Sequence, residues 1–272
     1  MNRIDQRFAA LKAADRTGLI PFVTAGDPSP EAMVPLLHTL VSAGADAIEL
    51  GVPFSDPMAD GPVIQHASER ALAKGVGIAQ VFAWAADFRR DDAHTPLILM
   101  GYLNPVEIYG YTRFARDAVA AGVDGVLLVD CPLEESATVE PLRDAGLRRI
   151  FLTAPTTAEA RLAQIGEHAE GFLYYVSFAG ITGADRLSHD AVHARVTELR
   201  KKTQVPIAVG FGVRDAHSAA AIGEFADAVV IGSALVERLA ATGSVEDVCA
   251  AATEFLAPIR TALDVVASAH AA

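Results

Sequence analysis

Lysine is scarce in this 272-residue sequence: it occurs at Lys12, Lys74, Lys201 and Lys202 and nowhere else. Each lies in a stretch with helical patterning. A Schiff-base aldolase or a pyridoxal-phosphate enzyme needs a Lys amine at its reacting centre, so both chemistries are disfavoured. Cysteine is almost absent, with Cys131 and Cys249 alone. Two thiols make no disulfide framework and suit a reducing compartment. Positive charge is in deficit: 22 Lys and Arg stand against 34 Asp and Glu, a net charge of -12. A nucleic-acid surface, which needs clustered cations, is therefore not expected. Eight histidines are present, none at the end of a strand-like run. His189 and His193 have i,i+4 spacing, but no third ligand accompanies them, so a solvated helix face is the reading and no metal is expected. Long apolar runs are missing too. The most apolar late segment, 248–269, is interrupted by Glu254, Arg260 and Asp264. The charged start around Arg3, Asp5 and Arg7 is not followed by a leader-like apolar stretch. The expectation is a soluble cytoplasmic protein with no membrane contact.

What is abundant is apolar surface, 51% of residues, ample for a large core. Short apolar runs alternate with helical patterns about every 25–30 residues, as a (β/α)8 barrel requires. The runs begin near Leu19, Ala47, Thr95, Asp124, Arg149, Phe172, Val205 and Asp227. Several are nearly continuous in apolar character, as parallel strands buried on both faces should be. An extra helix is predicted over 2–15 ahead of the first strand, and a short one over 234–240 after the last. Helices are also predicted over 30–43 and 134–145, and a final helix over 245–268 with a break or kink near Pro258. The whole chain, 1–272, reads as one barrel domain, with 267–272 as a frayed tail. A doubly wound open sheet is the rival fold. It would carry a Gly-rich turn after its first strand, where this chain has Thr24-Ala25-Gly26-Asp27-Pro28.

Glu49 interrupts the apolar run Ala47 to Leu50. If Ile48 and Leu50 face the helices, period-two alternation turns Glu49 into the barrel. Burial would raise its pKa and suit it to proton transfer near neutrality, although a hydrogen-bonded structural glutamate is also open. Asp60 lies on the next loop and could face the same mouth or cap the helix that follows. Asp130 is a third candidate, or a loop-stabilising aspartate. Gly183, Gly212, Gly232 and Ser233 sit in the loops after the sixth, seventh and eighth strands, where this fold commonly holds phosphate. Read singly, each glycine could equally be a turn residue. Phe22, Met100, Tyr102, Leu127, Val129 and Tyr174 are strand-end candidates for an apolar wall, or ordinary core. These features describe a cofactor-free carboxylate enzyme acting on a phosphorylated metabolite with an apolar part.

The run Glu49-Leu50-Gly51-Val52-Pro53-Phe54-Ser55-Asp56-Pro57-Met58-Ala59-Asp60-Gly61-Pro62 resembles the signature of the tryptophan synthase alpha chain family. So do Pro21 to Pro28, Gly180-Ile181-Thr182-Gly183, Gly210-Phe211-Gly212 and Gly232-Ser233-Ala234, in the family's order. The resemblance implies a (β/α)8 barrel that cleaves indole-3-glycerol phosphate to indole and glyceraldehyde 3-phosphate without metal or cofactor. It implies that Glu49 moves the protons and that Asp60 holds the indole N–H. Phe22, Leu127 and Tyr174 would line the indole pocket. Gly183, Gly212, Gly232 and Ser233 would cradle the phosphate beside Phe211, and Thr182 would belong to a loop closing over Asp60. It also implies a pyridoxal-phosphate-dependent beta chain as partner in an alpha2-beta2 assembly, receiving indole through a tunnel. Pro53, Asp56, Asn104 and Pro105 lie in the loops expected at that contact. Phe178 departs from the family's pattern, where a small or polar residue is commoner. Two other readings stand beside this one: another phosphate-binding barrel isomerase or synthase, and a non-catalytic subunit that only activates a partner.

Overall fold

The computed structural model describes residues 1–176, 189–210 and 212–270, of which 267–270 by backbone alone. Its strands are β1 (Gly18–Thr24), β2 (Ile48–Gly51), β3 (Leu97–Gly101), β4 (Gly125–Leu128), β5 (Arg148–Arg149), β6 (Phe151–Thr153), β7 (Leu173–Val176), β8 (Ile207–Gly210) and β9 (Ala228–Ile231). All pairings are parallel, in the order β5-β4-β3-β2-β1-β9-β8-β7-β6. The two ends of that order, β5 and β6, are consecutive in the chain and separated only by Ile150. The Ile150 N–H donates to the Val126 carbonyl at 2.9 Å. One stave therefore carries both ends of the sheet, and the barrel closes.

Closure makes the alternation of side chains strict. Ile48 and Leu50 pack outward with Leu36, Leu37 and Leu40 of α2 (Met33–Ser42). Ala47 and its counterparts Ile20, Ile98, Leu127, Phe172, Ala208 and Ala228 fill the interior. The helix α1 (Arg3–Ala13) closes the floor with Ile4, Phe8 and Leu11 in that same cluster. The Phe8 and Phe172 rings lie 5.4 Å apart.

Three aspartates fix the N-terminal ends of the strands by a repeated device. Each directly precedes an apolar strand, in Ala45-Asp46-Ala47-Ile48, Val123-Asp124-Gly125-Val126 and Ala226-Asp227-Ala228-Val229. The Asp46, Asp124 and Asp227 N–H groups donate to the carbonyls of Leu19, Leu97 and Ile207 at 2.8, 2.9 and 3.0 Å. Their carboxylates in turn accept the N–H of the same three residues at 3.0, 3.0 and 2.7 Å. Arginines neutralise the buried charges of Asp46 (Arg260 and Arg16) and Asp124 (Arg89 and Arg3), and Arg200 pairs with the half-buried Asp227. Charge-assisted hydrogen bonds of this kind set register as well as energy.

The remaining helices are α3 (Pro62–Ala73), α4 (Ile78–Arg89), α5 (Leu103–Tyr109), α6 (Tyr111–Ala120), α7 (Glu140–Asp144), α8 (Glu159–His168), α9 (His189–Arg200), α10 (Ala216–Gly223), α11 (Ser233–Ala240) and α12 (Val245–His270). Four differ from expectation. Asn104 and Pro105 lie in the first turn of α5 rather than in a loop; proline is tolerated there because that N–H has no helical partner. The segments predicted as helix from 30 and from 134 open as 3-10 turns, Pro30–Ala32 and Leu133–Val139. Pro258 does not break α12. Losing its hydrogen bond costs about 3 kcal/mol, but Ala252, Leu256, Ile259 and Leu263 are all buried and hold the helix on both sides.

Candidate active site

Glu49 stands in the interior of the barrel at 0% exposure. Neither carboxylate oxygen has a hydrogen-bond partner among the described residues. Desolvation disfavours the charged form and pushes its pKa up to about 8. Among the described residues nothing holds Glu49 as a hydrogen-bonded structural glutamate. Two glycines at strand ends make room for aromatic rings from the neighbouring strands. A Cβ on Gly51 would lie 2.5 Å from Cζ of Phe22, and one on Gly210 would collide with the Tyr174 hydroxyl. Phe22 and Tyr174 can thus lie flat against neighbouring strands.

Asp60 follows β2 on the loop that leads into α3. It does not cap that helix, whose N-cap is Gly61 without a side-chain bond. Its carboxylate accepts the Tyr102 hydroxyl at 3.0 Å, and the same hydroxyl accepts the Ala59 N–H at 3.1 Å. Gln65 holds the Asp60 carbonyl at 2.8 Å. Burial raises the Asp60 pKa to about 6, against the opposing pull of Tyr102. Tyr102, expected as a piece of apolar wall, is instead the support of this carboxylate, with its ring 5.3 Å from that of Phe54.

A cavity of about 640 Å³ opens at the C-terminal ends of the strands. Glu49, Asp60, Phe22, Met100 and Tyr174 line it together with Gly212, Gly232 and Ser233, and Gly232 lies next to Phe22. Leu127 is not on its wall. At 0% exposure it belongs to the interior layer beneath. On the cavity wall α11 begins at Ser233. The Leu235 and Val236 N–H groups bond to the Gly232 carbonyl at 2.9 and 3.1 Å. Among the described residues no side chain caps the helix, so its first N–H groups and its dipole suit an anion. Gly212 has φ of +88°, a conformation strained for residues with a side chain. Gly183, Thr182, Phe178 and Phe211 lie outside the described residues.

Asp130 takes the loop-stabilising role: it accepts the Leu103 N–H at 2.7 Å at the start of α5. His189 reaches the cavity rim and bonds the Ala221 carbonyl, while His193 stacks on Phe225 at 4.9 Å. No group of three His, Cys, Asp or Glu suited to a metal occurs among the described residues. Of the residues expected at a partner contact, Asp56 and Asn104 are exposed, Pro105 is half-buried and Pro53 is buried. The same two segments expose Met58 at 73% and Ile108 at 79%. The sequence reading missed both; an isolated apolar residue in a polar loop or on a short helix carries no periodic signal.

The tryptophan synthase alpha chain family model matches residues 8–263. A tryptophan synthase alpha chain of Xylella fastidiosa (strain 9a5c) is 59% identical over 267 residues, 98% of this chain and 100% of that one. The chain belongs to the tryptophan synthase alpha chain family. Another member, from Laribacter hongkongensis (strain HLHK9), is 60% identical over 90% of this chain and 93% of its own. The crystal structure of tryptophan synthase subunit alpha from Legionella pneumophila str. Paris superposes with a TM-score of 0.90 at 43% identity, covering 97% of this chain and 99% of that one. The fold of this alpha chain is thus the (β/α)8 barrel, with α1 added before β1 and the short α11 after β9.

Proposed function

We infer that the chain is a carbon–carbon lyase that cleaves indole-3-glycerol phosphate to indole and glyceraldehyde 3-phosphate, the alpha reaction of tryptophan synthesis. The carrying observation is the pair of desolvated carboxylates in one cavity with the start of α11. The volume lies within the range of small-molecule sites. The two pKa values are pushed apart, which assigns different work to each group. Glu49, near 8, is mostly protonated at neutral pH and can deliver a proton to indole C3. Asp60, near 6, is mostly ionised and can accept the indole N–H, stabilising the positive charge of the indolenine. Glu49, now a carboxylate, takes the proton of the glycerol hydroxyl beside the scissile bond. That C–C bond breaks, its electron pair returns to the indole ring, and the hydroxyl carbon becomes the aldehyde. One proton is given and one recovered, so the cycle closes without an external base.

Gly212, Gly232 and Ser233, with Gly183 and Phe211, would hold the phosphate; Phe22 and Tyr174 would flank the indole, and Thr182 would cover the site. The family has no cofactor of its own, and pyridoxal phosphate would belong to the beta chain. The alpha chain's partner is a beta chain, and the proposed assembly is alpha2-beta2, with indole passing between subunits. Asp56, Asn104 and Pro105, supported by buried Pro53, would form the contact. No helix among the described residues is long and apolar enough to cross a membrane, which suits a cytoplasmic site of action.

The test is indole release by the purified chain, with and without a beta chain. Release alone, stimulated by the partner, is expected. Glu49→Gln and Asp60→Asn should each lose activity by roughly 100-fold or more, the scale of a general acid–base group. Normal turnover by either variant would refute its role, and release only in the complex would favour an activating subunit.

A further inference from the structure

Thr24 ends β1 at 2% exposure, and its hydroxyl has no hydrogen-bond partner among the described residues. A buried hydroxyl without a partner is costly and rare. Beside it lies a second, smaller cavity of about 10 Å³. Thr24, Asp60, Ser68 and Tyr102 supply its polar lining, while Met100 and Gly51 are among its apolar walls. Asp60 lines both this void and the large cavity, whereas Glu49 lines the large one alone. Phe22, Ile64 and Met100 also line both, so the void adjoins the large cavity at Asp60 and extends from it toward Thr24. Its volume matches the space one water molecule requires, and it offers the two to four polar partners a buried water takes.

We propose that one ordered water fills this void, bridging the Thr24 hydroxyl and the Asp60 carboxylate, and that Thr24 is a positioning residue for Asp60. Tyr102 holds one carboxylate oxygen from the α5 side. The water holds the carboxylate from the β1 side, so Asp60 presents a fixed face to the indole N–H. Among the described residues, the titratable groups that face Asp60 are Glu49 from β2, Tyr102 ahead of α5 and Tyr174 from β7, while His189, Arg214 and His217 line the same large cavity. None of the three facing groups is a cation, so fixed dipoles favour the ionised form of Asp60. A donated hydrogen bond favours the ionised form. The proposal rests on the reading of Asp60 as the ionised acceptor of the indole N–H.

A crystal structure of the wild-type chain at atomic resolution should show a solvent peak about 2.7–3.2 Å from both Thr24 Oγ1 and an Asp60 carboxylate oxygen. Absence of that peak overturns the proposal. Thr24→Val keeps the shape and removes the hydroxyl. Its kcat/KM should fall roughly ten-fold, the equivalent of about 1.4 kcal/mol. The acid limb of its pH profile should move up by roughly half a pH unit or more, as a carboxylate losing a donor must. Thr24→Ser should restore both. A wild-type profile in Thr24→Val, or a Ser variant as impaired as the Val one, overturns the water bridge. Asp60→Asn measured alongside separates the two layers: normal activity there sinks the role of Asp60, whereas impairment there with an unaffected Thr24→Val sinks only the water. Should Thr24→Val fail to fold, the wild-type density decides.

Discussion

Glu49→Gln should make the protein more stable at neutral pH while it destroys activity. The folded state raises the Glu49 pKa from its ordinary value of 4.5 to about 8, and burial is the cause. An acid whose folded pKa lies above its unfolded one binds its proton more tightly in the native state. The contribution is fully present below about pH 4.5 and is lost as pH rises toward 8, where the native state must accommodate a bare carboxylate. Each pH unit within that window is worth about 1.36 kcal/mol. By pH 7 the wild type has given up about 3 kcal/mol relative to a neutral side chain in the same place. The group is fully buried, so solvent screening does not reduce this figure. Gln keeps the shape and cannot ionise, so it escapes the loss.

The assay is urea unfolding of wild type and Glu49→Gln at several pH values between 5 and 8. Every other titrating group is common to both proteins and cancels in the difference. The gap should widen in favour of Gln with a slope of roughly 1.4 kcal/mol per pH unit, flattening near pH 8. The amide's own unsatisfied hydrogen bonds add an offset that does not vary with pH. A gap constant across this range would mean that Glu49 is ionised throughout, and it would remove the proton-donor role with it. Activity supplies an independent reading, because the same ionisation should appear as the basic limb of the kcat profile.

Two further perturbations separate support from chemistry. Tyr102→Phe removes the hydroxyl that joins Asp60 to the Ala59 N–H; a charged-group hydrogen bond is worth about 1.5–3 kcal/mol. The acid limb of kcat/KM should move up from near pH 6, and an unchanged profile would show that the bond does not govern Asp60. Asp124→Ala should destabilise by about 1–3 kcal/mol, because it leaves the buried Leu97 N–H unpaired and removes one of the partners of Arg89, which keeps Asp92 and the Gly122 and Thr95 carbonyls; chemical unfolding that shows no loss would refute a register role for these aspartates.

Glu49 and Asp60 differ in how far the sequence exposes them, and the difference has a physical origin. Glu49 is placed by period-two alternation, which any four residues of a strand display, and Ile48 and Leu50 do pack outward as that period requires. Asp60 is placed by Tyr102, 42 positions away, through a hydroxyl whose direction no local pattern encodes. Its partner therefore read as a wall residue, and its own residue type fitted a helix cap equally well. Motif resemblance, not periodicity, singled it out. The same distinction explains the aspartates ahead of β2, β4 and β9. Each looks like an ordinary residue entering a strand until the neighbouring strand arrives to donate its N–H. Short helices escape for another reason. In α5 the Asn-Pro pair falls in the first turn, where proline is compatible with a helix, yet in sequence it carries the signature of a stop. Period and punctuation thus reveal the barrel and the one carboxylate built into a stave. The second carboxylate lies on a loop, and a loop residue's environment is assembled from chain segments remote from it. That is also why its supports, Tyr102 on one side and Thr24 on the other, emerge only once β1, β3 and the loop after β2 are brought together.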